Sequence, residues 1–222
     1  MYRLLIAAPL MTLGACAAST ELEPAPGTPT TNPTTAVVSA PEARLSVSTR
    51  PWPGRARIER QVTPLRLTLE NTGNEPWTVA LADIVLEEAR EGRFLKALPI
   101  EAVKGDARVW PSEREDLWVS PYYRSRGYVG RPAIWYSPYG TWGRQRGLSV
   151  DATADLAELP TPEMVRARLV PRTVAPGEQL EGWVYFPVID AGEGPFELTV
   201  KLRAPDGAPI ALPSLGFVED DS

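Results

Sequence analysis

L65-R-L-T-L-E-N-T-G-N-E-P-W-T-V79 decides the fold. Leu65, Leu67 and Leu69 alternate with Arg66, Thr68 and Glu70, the period of two that sets one side of a strand against a core and the other in water. Asn71-Thr72-Gly73-Asn74-Glu75-Pro76 is dense in turn formers, and a second run, Trp77 to Leu81, follows at once.

The same grammar repeats outward from this stretch. Leu45 and Val47 alternate with serines. Ile84 to Glu88, the turn Ala89-Arg90-Glu91-Gly92 and Arg93 to Leu98 predict a hairpin. Pro176-Gly177-Glu178 is a tight turn ahead of Gln179 to Phe186. Beyond a turn at Asp190 to Pro195, Phe196, Leu198, Val200 and Leu202 share one face, and Pro205-Asp206-Gly207 turns the chain into Pro209 to Leu212. Strands joined by short Gly/Pro turns predict an all-β antiparallel sandwich spanning 42–222 as one domain. Thr161 as N-cap and Pro162 at the first helical position predict one short helix over 161–168. Val165, Ala167 and Leu169 also alternate there, which leaves a strand as the other reading. Trp77 and Trp183 fall on strands and are expected in the packing, and Trp52, set between prolines, as a loop anchor.

Taken with V174-A-P-G-E-Q-L-E-G-W-V-Y-F186, the opening stretch resembles bacterial immunoglobulin-like envelope domains. In that family an N-x-x-x-x-P strand exit is followed much later by a P-G-E turn and a G-x-V-x-F strand. The resemblance implies an immunoglobulin-like sandwich and an envelope location, and it brings no catalytic residue with it.

At the other end of the chain, Arg3 precedes an apolar segment from Leu4 to Leu13. At about ten residues it has the length of a signal-peptide core and falls short of the roughly 20 that span a bilayer. L13-G-A-C16 follows and holds the only cysteine. This stretch resembles the lipobox of bacterial lipoproteins. The resemblance implies a signal peptide over 1–15, cleavage between Ala15 and Cys16, a diacylglyceryl group on the Cys16 thiol and acylation of the new amine. Two or more acyl chains make a stable anchor. Ala17, where a sorting aspartate would retain the protein at the inner membrane, points to the outer membrane and its periplasmic face. From Ala17 to Pro41 the chain is rich in Pro, Thr and Ala, and 16–41 is expected to be a lipidated, disordered tether. Extended at about 3.1 Å per residue it would reach roughly 75 Å.

Within an inserted segment placed at 104–160, Leu117 to Gly147 concentrates Trp118, Tyr122, Tyr123, Tyr128, Trp135, Tyr136, Tyr139 and Trp142 with Arg124, Arg126, Arg131, Arg144 and Arg146, and has no Asp or Glu. The whole chain carries a net charge of −5, or −6 once a leader bearing Arg3 is removed, so this is a cationic segment in an acidic protein. Gly and Pro interrupt it too often for a regular helix, and loops this long in compact domains commonly carry function. Aromatic faces beside guanidinium groups suit sugar rings, anionic polymers or headgroups, protein anchors and the membrane interface. Two readings stand: a contact surface for an envelope protein or glycan, or a satellite core covering one sheet. Acidic charge and an envelope address argue against nucleic acid.

Catalytic signatures are scarce. Without histidine, Ser/His triads and His-ligated metals are unavailable, and one cysteine excludes both a disulfide within the chain and a Cys₄ zinc site. S-x-x-K, G-x-S-x-G, phosphate-loop and calcium-loop spacings are missing too. No cofactor is implied. Carboxylates at Asp151, Asp155 and Glu158, expected on an exposed turn or helix, leave glycoside cleavage as the enzymatic alternative to a binding or structural module.

Overall fold

The computed structural model describes residues 21–109, 156–189 and 192–219. Their architecture is an antiparallel β-sandwich with one short helix and a small third sheet. In chain order the strands are β1 (Leu22–Pro24), β2 (Thr30–Asn32), β3 (Thr35–Ser39), β4 (Ala43–Ser48), β5 (Ala56–Arg57), β6 (Val62–Asn71), β7 (Trp77–Glu88), β8 (Arg93–Lys96), β9 (Asp106–Val109) and β10 (Leu156–Glu158). After helix α1 (Pro162–Ala167) come β11 (Thr173–Val174), β12 (Gln179–Pro187), β13 (Phe196–Arg203), β14 (Pro209–Ala211) and β15 (Leu215–Glu219). One layer runs β12-β6-β4-β3-β2. The other runs β1-β15-β13-β7-β11, with β14 added to β13 and β8 to β7.

The alternation first read in Leu65 to Glu70 places Leu65, Leu67 and Leu69 in the core between these layers, where they meet Leu45, Val47, Phe186, Leu198 and Leu202. The predicted β7–β8 hairpin pairs Glu88 with Arg93 across its turn. Thr161 caps α1 with its hydroxyl, which accepts the Met164 N–H at 3.3 Å, so the helical reading of this segment holds.

The disordered tether gives way to structure. Residues from Leu22 onward are built into both layers: β1 pairs with β15, and β2 and β3 extend the other sheet beside β4. The composition of the segment concealed a few well-placed apolar residues. Leu22, Ala36 and Val37 are buried, while Pro26 and Pro33 fall between strands, where no ladder hydrogen bond is required of them. Residues 16–20, including Cys16, lie outside the described residues. A second correction concerns Glu158, expected on a turn or helix: it is on a strand, β10, paired with Asp106 of β9. Asp151 and Asp155 lie outside the described residues.

The two motifs quoted for the envelope-domain resemblance meet in space. Asn71, almost wholly buried, ends β6. Its side-chain amide donates to the carbonyls of Glu75 and Val174, both at 2.9 Å, and its side-chain oxygen accepts the Gly73 N–H at 3.0 Å. Its backbone N–H donates to the Glu178 carbonyl, and its carbonyl accepts the Gly177 N–H, again both at 2.9 Å. Gly177 takes a φ of +77°, which a side chain would strain, so Pro176-Gly177-Glu178 turns where Asn71 can reach it.

Along β12, Leu180, Val184 and Phe186 face the main core, whereas Trp183 and Tyr185 face a second one. Gly182 is required by a close crossing. A Cβ there would lie 2.5 Å from both the Cα and the N of Leu169, whose N–H donates to the Trp183 carbonyl at 2.8 Å.

Two stability predictions follow from these contacts. Asn71→Ala leaves the Glu75 and Val174 carbonyls without this donor, while the Gly73 N–H keeps the Glu42 carbonyl, and should lower unfolding free energy by roughly 2–4 kcal/mol in a urea titration; Asn71→Asp should not restore it, because a carboxylate donates to neither carbonyl. Gly182→Ala should cost about 1–3 kcal/mol or more, since backbone stands in the way of the new methyl group.

Candidate functional site

Every contact residue predicted from the sequence, Trp118, Tyr122, Tyr123, Arg124, Arg126, Tyr128, Arg131, Trp135, Tyr136, Tyr139, Trp142 and Arg144, lies outside the described residues, as does Cys16, the residue predicted to be lipidated. What is described is the base from which that segment leaves the body. β9 runs up to Val109 and β10 comes back from Leu156, paired antiparallel with Leu156 opposite Arg108, Ala157 opposite Ala107 and Glu158 opposite Asp106. β5 lies on the far side of β9, with Arg57 opposite Arg108 and Ala56 opposite Val109. The ladder continues through the Leu159 N–H, which donates to the Gly105 carbonyl at 2.8 Å. The two ends of the insertion are therefore held side by side in fixed register.

Opposed residues of antiparallel strands share a face, so this sheet has two distinct sides. Ala56, Ala107 and Val109 turn inward to the second core, built from Ile58, Val62, Ile100, Met164, Trp183 and Tyr185. Trp52 seals it, packing edge-on against Trp183 with ring centroids 5.0 Å apart and against Tyr185 at 6.1 Å. Burial pushes the Tyr185 hydroxyl well above the usual phenol range, and the neutral group donates to the Met164 carbonyl at 3.3 Å. Tyr185 is thus a structural hydroxyl.

The outer side presents Arg57, Arg108 and Leu156 in one row. Next to them the turn Ile58–Arg60 carries Glu59 and Arg60, followed by Gln61, whose side-chain amide donates to the Asp106 carbonyl at 3.4 Å. Glu59 accepts the Trp52 N–H at 3.2 Å. Together with Glu21 these side chains line an open cleft of about 430 Å³. Among the described residues, no group of three or more carboxylate or thiol side chains could hold a metal ion, and no helix is long and apolar enough to cross a membrane.

Glu21, the first described residue, places the N-terminal approach at this same cleft. The registers give the sandwich two ends. Leu22 opposes Glu219, and Phe196 opposes both Phe217 and Glu88, at one end. Thr78 opposes Arg203, and Val174 opposes Trp77, at the other, where the Asn71 contacts also lie. The N-terminal segment and the insertion stem leave from the first end. Sequence reading missed Arg57, Arg60 and Arg108 as a group. The stretch R55-A-R-I-E-R-Q61 was the available signal, but only the register with β9 sets Arg57 beside Arg108.

Compared with known protein families, with characterised proteins and with solved structures, the chain matches none.

Glu219 holds β15 at this end. Burial would raise its carboxyl, but backbone N–H groups of Gly192, Gly194 and Glu193, with Arg90 nearby, outweigh burial and hold it below the ordinary value of 4.5. The N–H groups of Gly192 and Gly194 donate at 2.7 and 2.8 Å. A carboxyl depressed in the folded state adds stability above its unfolded value, and that stability is lost as pH falls through the folded one. Thermal midpoints measured downward from about pH 5 should therefore fall, and Glu219→Gln should flatten part of that fall while lowering the midpoint at neutral pH.

Proposed function

We propose that the protein is a lipid-anchored binding or structural module of a bacterial cell envelope, held at the periplasmic face of the outer membrane by Cys16 and meeting an envelope protein or glycan through its aromatic and arginine-rich insertion. The observation that carries this is the placement of the insertion: both its ends are clamped in register on a small sheet, beside the point where the anchor-side segment enters the fold. A paired stem on a packed base presents a long segment without disturbing the sandwich. Support also comes from the L13-G-A-C16 sequence, the resemblance to immunoglobulin-like envelope domains and the clustering of Trp, Tyr and Arg, the residue types that dominate contact energetics. Trp118, Trp135, Tyr136, Tyr139 and Trp142 are the anchors in this reading, and Arg124, Arg126, Arg131 and Arg144 pair with acidic groups of the partner.

One observation favours the enzymatic alternative. Asp106 and Glu158 oppose each other across β9 and β10 on the outer face of the stem, two carboxylates at the foot of a segment suited to sugars. Glycan hydrolysis lost on Glu158→Gln would establish it.

The contact reading predicts that replacing Trp135, Tyr136, Tyr139 and Trp142 by Ala leaves the urea unfolding midpoint unchanged and costs about 2 kcal/mol or more of binding for each true anchor. Sedimentation with purified peptidoglycan and cross-linking in intact cells would measure it. Full retention of both signals by the quadruple variant refutes the insertion as the contact surface.

A further inference from the structure

We propose that the outer edge of β8 is a second interaction surface, which takes an extended, proline-free segment of a partner protein as an added strand, with an apolar side chain of that segment beside Phe94 and a carboxylate beside Lys96. This surface is separate from the insertion and goes beyond the contact reading of the preceding subsection.

Hydrogen-bond parity opens the edge. At one end of the β7–β8 hairpin the Ala97 N–H donates to the Ile84 carbonyl at 3.1 Å, and at the other the Gly92 N–H closes the turn onto the Glu88 carbonyl at 2.9 Å. Opposed residues of an antiparallel ladder alternate between bonded and non-bonded pairs, so the bonded ones are Ile84 with Ala97, Leu86 with Leu95 and Glu88 with Arg93. The N–H and C=O groups of Phe94 and Lys96 therefore point away from β7, and among the described residues no strand lies on that side of β8. Just beyond, the chain crosses to the other layer, where the Leu98 N–H donates to the Tyr185 carbonyl at 2.7 Å. The next antiparallel pair would be Lys96 with Pro187, whose nitrogen has no hydrogen to give, so the two layers part there.

Composition sets β8 apart from the other outer strands of the two layers. β1, β2, β11, β12 and β14 each contain a proline or have one within two residues, as Pro24, Pro29, Pro171, Pro187 and Pro209 show, and proline is a guard against edge pairing. β8 has no such guard. It carries instead Phe94, 61 % exposed and the one aromatic among the large exposed apolar side chains of the described residues. Two residues on, and so on the same face, Lys96 is exposed and makes no ion pair among the described residues. An added strand would gain its attachment from the four outward backbone groups and its selectivity from alternate side chains. Across strands an aromatic pairs well with an apolar residue and a lysine with a carboxylate, which defines the segment that fits. A second copy does not fit. Its own β8 could pair only antiparallel about a two-fold axis, which turns the two N-terminal ends apart, whereas chains anchored through Cys16 as proposed above enter from one lipid surface.

The test places photoreactive p-benzoylphenylalanine at position 94 of the full-length protein in intact bacteria, with position 44, exposed on the outer face of the other layer, as the control. The expected result is one dominant adduct with a protein other than this chain at 94 and none at 44, falling about tenfold in Lys96→Pro and in Lys96→Glu, the loss that goes with one charge-assisted hydrogen bond or two neutral ones. The Lys96 N–H points away from β7, so proline removes only the bond to the added strand and the urea midpoint should not move. If Lys96→Pro does not fold, Lys96→Glu, a change at an exposed side chain, carries the comparison. In the purified protein, hydrogen exchange should be fast at the Phe94 and Lys96 amides and slow at that of Leu95. Equal protection of the three amides, no adduct at 94, the same adduct at 44 or an adduct with a second copy overturns the proposal. An adduct indifferent to Lys96→Pro overturns strand addition, and one indifferent to Lys96→Glu overturns the carboxylate.

Discussion

One buried amide, that of Asn71, ties together parts of the chain that lie about a hundred residues apart. A primary amide away from water is costly unless its donors and acceptor are all met, and that of Asn71 meets the Glu75 and Val174 carbonyls and the Gly73 N–H. Apolar packing would tolerate several ways of laying the 174–178 segment on the sandwich, because hydrophobic contact has little directionality. These hydrogen bonds tolerate one. With the end of β6 and the start of β12 joined there, the nine-residue pairing of those strands is fixed in register, and Leu65, Leu67 and Leu69 are committed to the inner face.

That constraint also divides the labour between the two ends of the sandwich. The Asn71 end is closed by short turns and backbone hydrogen bonds. At the opposite end the N-terminal segment enters, the insertion stem rises and the arginine-lined cleft opens. The contacts that set the register and the segments that leave the body thus lie at opposite ends of β6.

Strands with a regular two-residue period were legible because each residue there faces either core or water. The strands of the stem were not. Ala56-Arg57, Asp106 to Val109 and Leu156 to Glu158 are too short to show a period, and the register that makes them a sheet joins segments about fifty residues apart. β1 to β3 were hidden for another reason. Averaged over 17–41 the composition is that of a disordered linker, yet Leu22, Ala36 and Val37 are enough to fix those strands once the sheet edges beside them supply the backbone partners. The aromatic and arginine clustering of 117–147 was legible as chemistry alone. The arginines of the cleft come from two separated segments, so no window of sequence contains them.

The continuous apolar stretch W183-V-Y-F186 carries the physical link between the two halves of the molecule. A half-exposed strand alternates; a strand buried on both faces does not. β12 has Leu180, Val184 and Phe186 in the sandwich core and Trp183 and Tyr185 in the core beneath the stem, where Trp52 packs on them. The stem therefore has no independent footing: its inner face rests on one side of a strand whose other side is the sandwich. Because interiors are packed to crystal-like density, a displacement of the stem is resisted by both cores at once. Gly182 sits at the point where this matters most, letting Leu169 close over the inner face of β12 between the two aromatic anchors and the turn held by Asn71. Rigidity at the base of the insertion thus comes from the nine residues of β12.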